Sequence, residues 1–191
     1  MKRTRSFVCL PSPEYSEPEP ECKQSQQINV SPKKTRLKES TNQLQRAIGD
    51  EILEFIEPGT QTKRFQKLIL SESRNLVVIF FGVMNSYMSS INESYDVIRQ
   101  CYNVDIFGVS ANSTANEYRF PIVNSPKISR NFNVLDPMGG GVYPRDIIIV
   151  FDSNGVEKVQ IPVMVFGKCV LDRPVVDALV DALEHVQLES Q

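Results

Sequence analysis

"NLVVIFFGVMNSYMSSINESYDVIRQCY", residues 75–102, decides the fold. Its first seven residues are a continuous β-branched and aromatic run of strand length. Such a run predicts a central strand covered on both faces, as in a parallel α/β sheet. Further on, Ile91, Tyr95, Ile98 and Tyr102 recur at spacings of four, three and four, which draw one apolar face of a helix over Ser90–Tyr102. "VDIFGVSAN" (104–112) then reads as the next strand, with Gly108 at a point of close packing. The joint between strand and helix, "FGVMNSYMSS" (81–90), offers only small hydroxyls, an amide, a phenol and methionines.

The flanks extend this strand–helix–strand unit. Upstream, "EILEFIE" (51–57) reads as a short strand and "TKRFQKLIL" (62–70) as a turn or short helix. Downstream, "TANEYRF" (114–120) reads as a short helix stopped by Pro121. "IIIVFD" (147–152) enters a turn at "SNG", and "VEKVQIPV" (156–163) answers it as an antiparallel partner. "RPVVDALVDALEHV" (173–186) closes the chain as an amphipathic helix with Pro174 near its first turn. The expectation is an α/β fold with a mixed central sheet flanked by helices.

Before Ile48 the texture differs. Residues 1–45 carry five of the twelve prolines and few large apolar residues, so they bury too little surface to offset the entropy of ordering. The division expected is a disordered tail over 1–47 and a domain over 48–191. The tail holds nine Lys/Arg against five Asp/Glu, a charge of +4, and the domain twelve against eighteen, a charge of -6. A basic tail on an acidic domain suits a targeting segment, not a basic nucleic-acid-binding globule. Within "SPKKTRLK" (31–38), Lys33, Lys34, Arg36 and Lys38 resemble a nuclear-localisation signal and would engage an import receptor. Nucleus is the expected location, with cytoplasm as the alternative.

No apolar run approaches the roughly 20 residues of a membrane span. The basic N-terminus has no apolar stretch after it, which argues against a secretory signal. Cys9, Cys22, Cys101 and Cys169 are scattered without paired spacing, so reduced thiols are expected rather than a disulfide framework. No Asp/Glu/His/Cys spacing suits a metal, and nothing calls for a cofactor. "MGGGVYPR" (138–145) lacks the lysine and helix start of a phosphate loop. Ser89 lacks a glycine-flanked elbow, and the one histidine, His185, lies on the closing helix, so a hydrolase reading fails.

Four segments in order resemble the peroxiredoxin family on its thioredoxin-like fold: "IGDEILEF" (48–55), "FGVSANS" (107–113), "FPIVNSP" (120–126) and "YPRDIIIVFDSNG" (143–155). The subgroup named after the bacterioferritin comigratory protein, with its nuclear fungal members, is the most similar. The resemblance spans about residues 48 to 186. It departs at Leu53, where proline is usual, and at Asn112, where aspartate is usual.

The resemblance implies that the family's active-site signature (proline, three residues, threonine, two residues, cysteine) falls on Gly82, Ser86 and Ser89. The place of a second, resolving cysteine is Ser94, and Arg145 stands unchanged where a guanidinium would face the sulfur. A thiol peroxidase needs a thiolate that becomes a sulfenic acid and is then reduced through a disulfide. Serine has neither state, so the implied site is degenerate. Ser86 retains a hydroxyl that can donate as a threonine would.

Two other thiols are candidates for a displaced reaction. Cys101 is twelve residues beyond Ser89 on the same helix, roughly 18 Å along its axis. Near the helix C-terminus the dipole opposes a thiolate, and the residue is expected to be a small buried hydrophobe. Cys169 is expected on a loop before the last helix, beside Lys168. The favoured expectation is therefore a peroxiredoxin-like binding or regulatory module without peroxidase activity, with an unidentified protein partner and compatible with a homodimer. The alternative is a thioredoxin-dependent peroxidase working through Cys169 or Cys101.

Overall fold

The apolar run at 75–81 lies at the centre of an eight-stranded sheet in the computed structural model of the protein. The structure describes residues 43–60, 62–69, 71, 73–82, 86–111, 118–165 and 167–189. In chain order the elements are α1 (Gln43–Ile48), β1 (Ile52–Ile56), β2 (Lys63–Lys67), β3 (Asn75–Phe80), α2 (Met88–Tyr102), β4 (Val104–Ser110) and β5 (Ile122–Asn124). There follow α3 (Pro126–Asn131), β6 (Asp146–Phe151), β7 (Glu157–Val165), β8 (Lys168–Cys169) and α4 (Val175–Glu189).

The sheet order is β2-β1-β5-β4-β3-β6-β7-β8. β3 pairs in parallel with β4, and β4 in parallel with β5. β6 joins β3 antiparallel, β7 and β8 continue antiparallel, and β1 and β2 complete the other edge antiparallel. The sheet is thus mixed, as expected. The parallel β3–β4 step requires a crossover, which α2 supplies.

Strand alternation divides the interior in two. Val77, Ile79 and Phe81 join Ile148 and Val150 under α2 and α4, whose Ile91, Tyr95, Ile98, Leu179, Leu183 and Val186 are buried there. Leu76, Val78 and Phe80 turn the other way, with Ile149 and Phe151, beneath Leu44 and Ile48 of α1 and Ile128 of α3. β3 is therefore covered on both faces, which is why its sequence shows no polar alternation. Gly108 sits where an added Cβ would lie 2.6 Å from Ile122 Cδ1 and 2.8 Å from Phe81 Cε1, so the packing across β4 requires its missing side chain.

Local signals explain the boundaries. Ser125 Oγ accepts from the Ile128 amide at 3.4 Å and Pro126 opens α3. Asn103 ends α2 in the left-handed conformation at φ 49°. At the β6–β7 turn the Asp152 carboxylate accepts the Asn154 and Val156 amides, each at 2.9 Å, and Gly155 takes φ 72°.

Several expectations need correction. "TKRFQKLIL" is not a turn or helix; its first half is edge strand β2. Apolar alternation is missing there because the strand is mostly exposed. It is held by the ladder to β1 and by the pairs Lys63–Glu54 (2.5 Å), Arg64–Glu57 (3.0 Å) and Lys67–Asp50 (3.2 Å). Residues 43–47 belong with the domain, because Leu44 and Ala47 of α1 are buried and the Leu44 amide donates to the Gly155 carbonyl. Most of "TANEYRF" lies outside the described residues, and Tyr118–Phe120 is not helical. The basic segment with Lys33, Lys34, Arg36 and Lys38 also lies outside the described residues, as do Cys9 and Cys22. No helix among the described residues is long and apolar enough to cross a membrane.

Candidate functional site

The joint between β3 and α2 is where the site residues gather. β3 ends at Phe80, and Gly82, two residues on, is buried. Ser86 and Ser89 are exposed, Ser86 in the turn before α2 and Ser89 in its first helical turn. The Ser89 hydroxyl donates to the Ser86 carbonyl at 3.0 Å. This bond spends the one proton of Ser89 on local backbone, within a single turn.

A group that the sequence reading passed over occupies the inner side of the joint. β6 lies antiparallel against β3, with Ile147 opposite Phe80, so Asp146 comes level with the chain just beyond β3. Its carboxylate Oδ1 accepts the Gly82 amide at 3.2 Å and the Tyr87 phenol at 3.1 Å. Tyr87 is the residue that precedes α2, and its hydroxyl also lies 3.5 Å from the Phe80 carbonyl. Gly82 serves this arrangement in two ways. It has the N–H that a proline would lack, and an added Cβ would stand only 3.2 Å from the Pro144 carbonyl oxygen.

The electrostatics follow from the burial. Burial pushes the Asp146 carboxyl above the usual carboxylate range; the bonds from Gly82 and Tyr87 pull it back, and nearby Asp136 adds to the rise. Burial also lifts the Tyr87 phenol well above its ordinary value, followed by the charge of Asp146 and the hydrogen bond to it. The inner side of the joint thus carries a phenol–carboxylate pair.

Arg145 does not stand inside this group. Its amide donates to the Val134 carbonyl at 2.7 Å and its Nε to the Leu135 carbonyl at 3.1 Å, and the residue is exposed. Asp146 opens β6 in step with Ile148 and Val150, which face α2 and α4, whereas Arg145 precedes the strand. Ser86 and Ser89 are joined by a hydroxyl–carbonyl bond, whereas the arginine is bonded to the loop after α3. A carboxylate directly ahead of an apolar run ("PRDIIIVF") was the available signal for Asp146.

The remaining candidates are separated from this joint. Ser94 is partly buried in the second turn of α2. Cys101 is exposed in the last turn of α2, contrary to the expected burial. At 100° per residue it stands roughly 60° round the helix from the edge of the Ile91–Tyr102 stripe, outside the packed face. Cys169 is exposed too, on β8 rather than a loop, with Sγ 3.9 Å from the Leu171 carbonyl. β8 lies three strands from β3, roughly 14 Å across the sheet. Among the described residues no cluster of three His/Cys/Asp/Glu side chains suits a metal ion.

No protein-family model matches the chain, and no curated protein matches it in sequence. Solved structures do match in shape. The mitochondrial 2-Cys peroxiredoxin from Plasmodium falciparum superposes with TM-score 0.59 at 15% identity, covering 73% of this chain and 92% of that one. Plasmodium yoelii thioredoxin peroxidase I gives TM-score 0.57 at 15% identity over 72% of this chain and 87% of its own. Enterococcus faecalis AhpC gives 0.56 at 18% identity over 72% and 88%. The sheet order, the helices on its two faces and these likenesses together establish that the domain has the thioredoxin-like fold found in peroxiredoxins.

Proposed function

We propose that this chain is a peroxiredoxin-like protein without peroxidase activity, which keeps the fold as a binding or regulatory module for a protein partner. The observation that carries the reading is Ser89. Where the sequence resemblance puts a reactive sulfur, there is a hydroxyl bonded to the Ser86 carbonyl. Its oxygen has no sulfenic acid or disulfide to form, and among the described residues its proton goes to the Ser86 carbonyl and not to a base. The exposed thiols of Cys101, in the last turn of α2, and Cys169, on β8, are both removed from the helix start that would activate a sulfur at residue 89.

The test is peroxide consumption by the purified full chain with thioredoxin, its reductase and NADPH. The expected result is no turnover above the protein-free rate. Steady turnover that Cys169→Ser or Cys101→Ser abolishes would overturn the reading in favour of a displaced-thiol peroxidase.

The proposal includes nuclear import through the basic segment at 31–38. Replacing Lys33 and Lys34 by alanine removes two of its four cations. Nuclear accumulation of a fluorescent fusion is expected to be lost; an unchanged distribution would remove import from the proposal.

A further inference from the structure

β5 has three residues, and it pairs with β4 only from Gly108 onward. Among the described residues, the β5 side of Asp105–Phe107 therefore has no strand beside it. A cavity of about 330 Å³ lies there, between β4 and the β1–β2 hairpin, within the ordinary size range of small-molecule sites. It reaches Asn75, the first residue of β3, and so lies at the opposite end of that strand from Gly82. Its walls draw on both halves of the interior. Phe55, Leu76 and Phe107 belong to the core beneath α1 and α3, and Tyr95 and Ile106 to the core beneath α2 and α4.

Four cations line the same cavity, Arg64, Lys67, Arg74 and Arg99, against one carboxylate, Asp105. Three of them are matched within the protein: Arg64 to Glu57 at 3.0 Å, Lys67 to Asp50 at 3.2 Å and Arg74 to Asp105 at 3.0 Å. Arg99, in the last turn of α2, is exposed and forms no ion pair among the described residues. Near it is the Tyr95 phenol, which burial lifts above its ordinary value and the Arg99 charge pulls back. At neutral pH the phenol is therefore an uncharged donor beside a permanent cation.

We infer that this cavity binds a small monocarboxylate with an apolar body, its carboxylate on Arg99 and Tyr95 and its hydrocarbon against Phe55, Leu76 and Phe107. Charge complementarity selects the class. One unmatched guanidinium suits one negative charge, and a second charge on the ligand would be desolvated without a partner. The buried rings and leucine beside it suit hydrocarbon. The site is separate from residue 89 and does not depend on how that residue is read.

The probe is octanoate, with octanamide as its uncharged counterpart, titrated into the full chain while methyl NMR spectra are recorded. Saturable shifts are expected at Leu68, Leu76 and Ile106, which line the cavity, and not at Leu183 or Val186 of α4. A ligand of this size is expected to bind with a Kd on the order of 0.1–1 mM. Octanamide on the unaltered chain, and octanoate on Arg99→Gln, are each expected to bind roughly tenfold more weakly, the effect of losing one charge-assisted hydrogen bond. Arg99→Lys keeps the charge without the planar fork, and its affinity is expected to fall between those of the unaltered chain and Arg99→Gln. Arg99 is exposed, so the variants are expected to keep the fold, which circular dichroism checks.

No saturable shift at millimolar octanoate overturns the inference. So does octanamide binding as tightly as octanoate, a folded Arg99→Gln form that binds octanoate unchanged, or shifts centred away from the cavity. If Arg99→Gln does not fold, the comparison of octanoate with octanamide on the unaltered chain decides the matter alone.

Discussion

Phe80→Ala is expected to cost the domain about 3–5 kcal/mol. Phe80 is fully buried on the α1/α3 side of β3, with its ring edge-on to Phe132 at a centroid distance of 5.4 Å. Phe132 meets Phe151 in turn at 5.7 Å, so the ring of residue 80 supports a three-membered aromatic layer. The loss should fall in the upper part of the range for large-to-small changes, because the cavity cannot collapse. β3 is bonded to β4 on one side and β6 on the other, and neither neighbour can move in without breaking a ladder. Urea unfolding followed by circular dichroism checks this. The contrasting change is Phe65→Ala on edge strand β2, where the ring is 65% exposed and the expected loss is under about 1 kcal/mol. Equal losses at the two positions would contradict the packing described.

The second large effect belongs to Asp146, where the two neutral replacements are expected to diverge. Asp146→Ala leaves the Gly82 amide and the Tyr87 hydroxyl without their acceptor, at a cost of roughly 2–3 kcal/mol. Asp146→Asn retains an oxygen for both donors and removes a charge that burial makes unfavourable, so at pH 7 it is expected to match or exceed the unaltered protein in stability.

The pH dependence carries the sign. The carboxyl of Asp146 holds its proton to a higher pH in the folded chain than in the unfolded one. Between those two values the folded state binds more protons, and its stability falls as pH rises through that window. The contribution is therefore favourable only at the acid end, and above the folded value the ionised group is a net cost. Unfolding free energies taken from the acid side up to neutral pH should show this decline in the unaltered chain. The decline should be flattened by Asp146→Asn. A steeper decline in the asparagine form would contradict the burial of this carboxylate.

Much of the architecture was legible because burial on two faces leaves a mark on sequence. The run at 75–81, the four-three-four stripe of α2 and the Asp152–Gly155 turn each have a local physical cause, and each element stands where its pattern predicts. The elements that were misread, β2 and α1, lack such a cause. β2 is a polar edge strand held by cross-strand pairing and ion pairs, and α1 is a single helical stretch of six residues whose burial depends on a turn more than a hundred residues away. Cys101 was misread for a related reason: a helical residue just off the apolar stripe is exposed, and spacing does not resolve so small a rotation.

The site divides along the same line. The absence of sulfur at residue 89 is a property of the sequence, and the chemistry lost with it follows from the element alone. Which side chain at the start of β6 meets the end of β3 is a property of the fold. Sequence reading put Arg145 there; the antiparallel register between β3 and β6 brings Asp146 level with the end of β3, where it accepts from Gly82 and Tyr87, and Arg145, just ahead of the strand, bonds the Leu135 carbonyl. The sequence by itself determined the central strands, the crossover helix and the missing thiol; only the tertiary structure decided the polar edge strand and the carboxylate that takes up the Gly82 amide and the Tyr87 phenol, because both depend on cross-strand pairing.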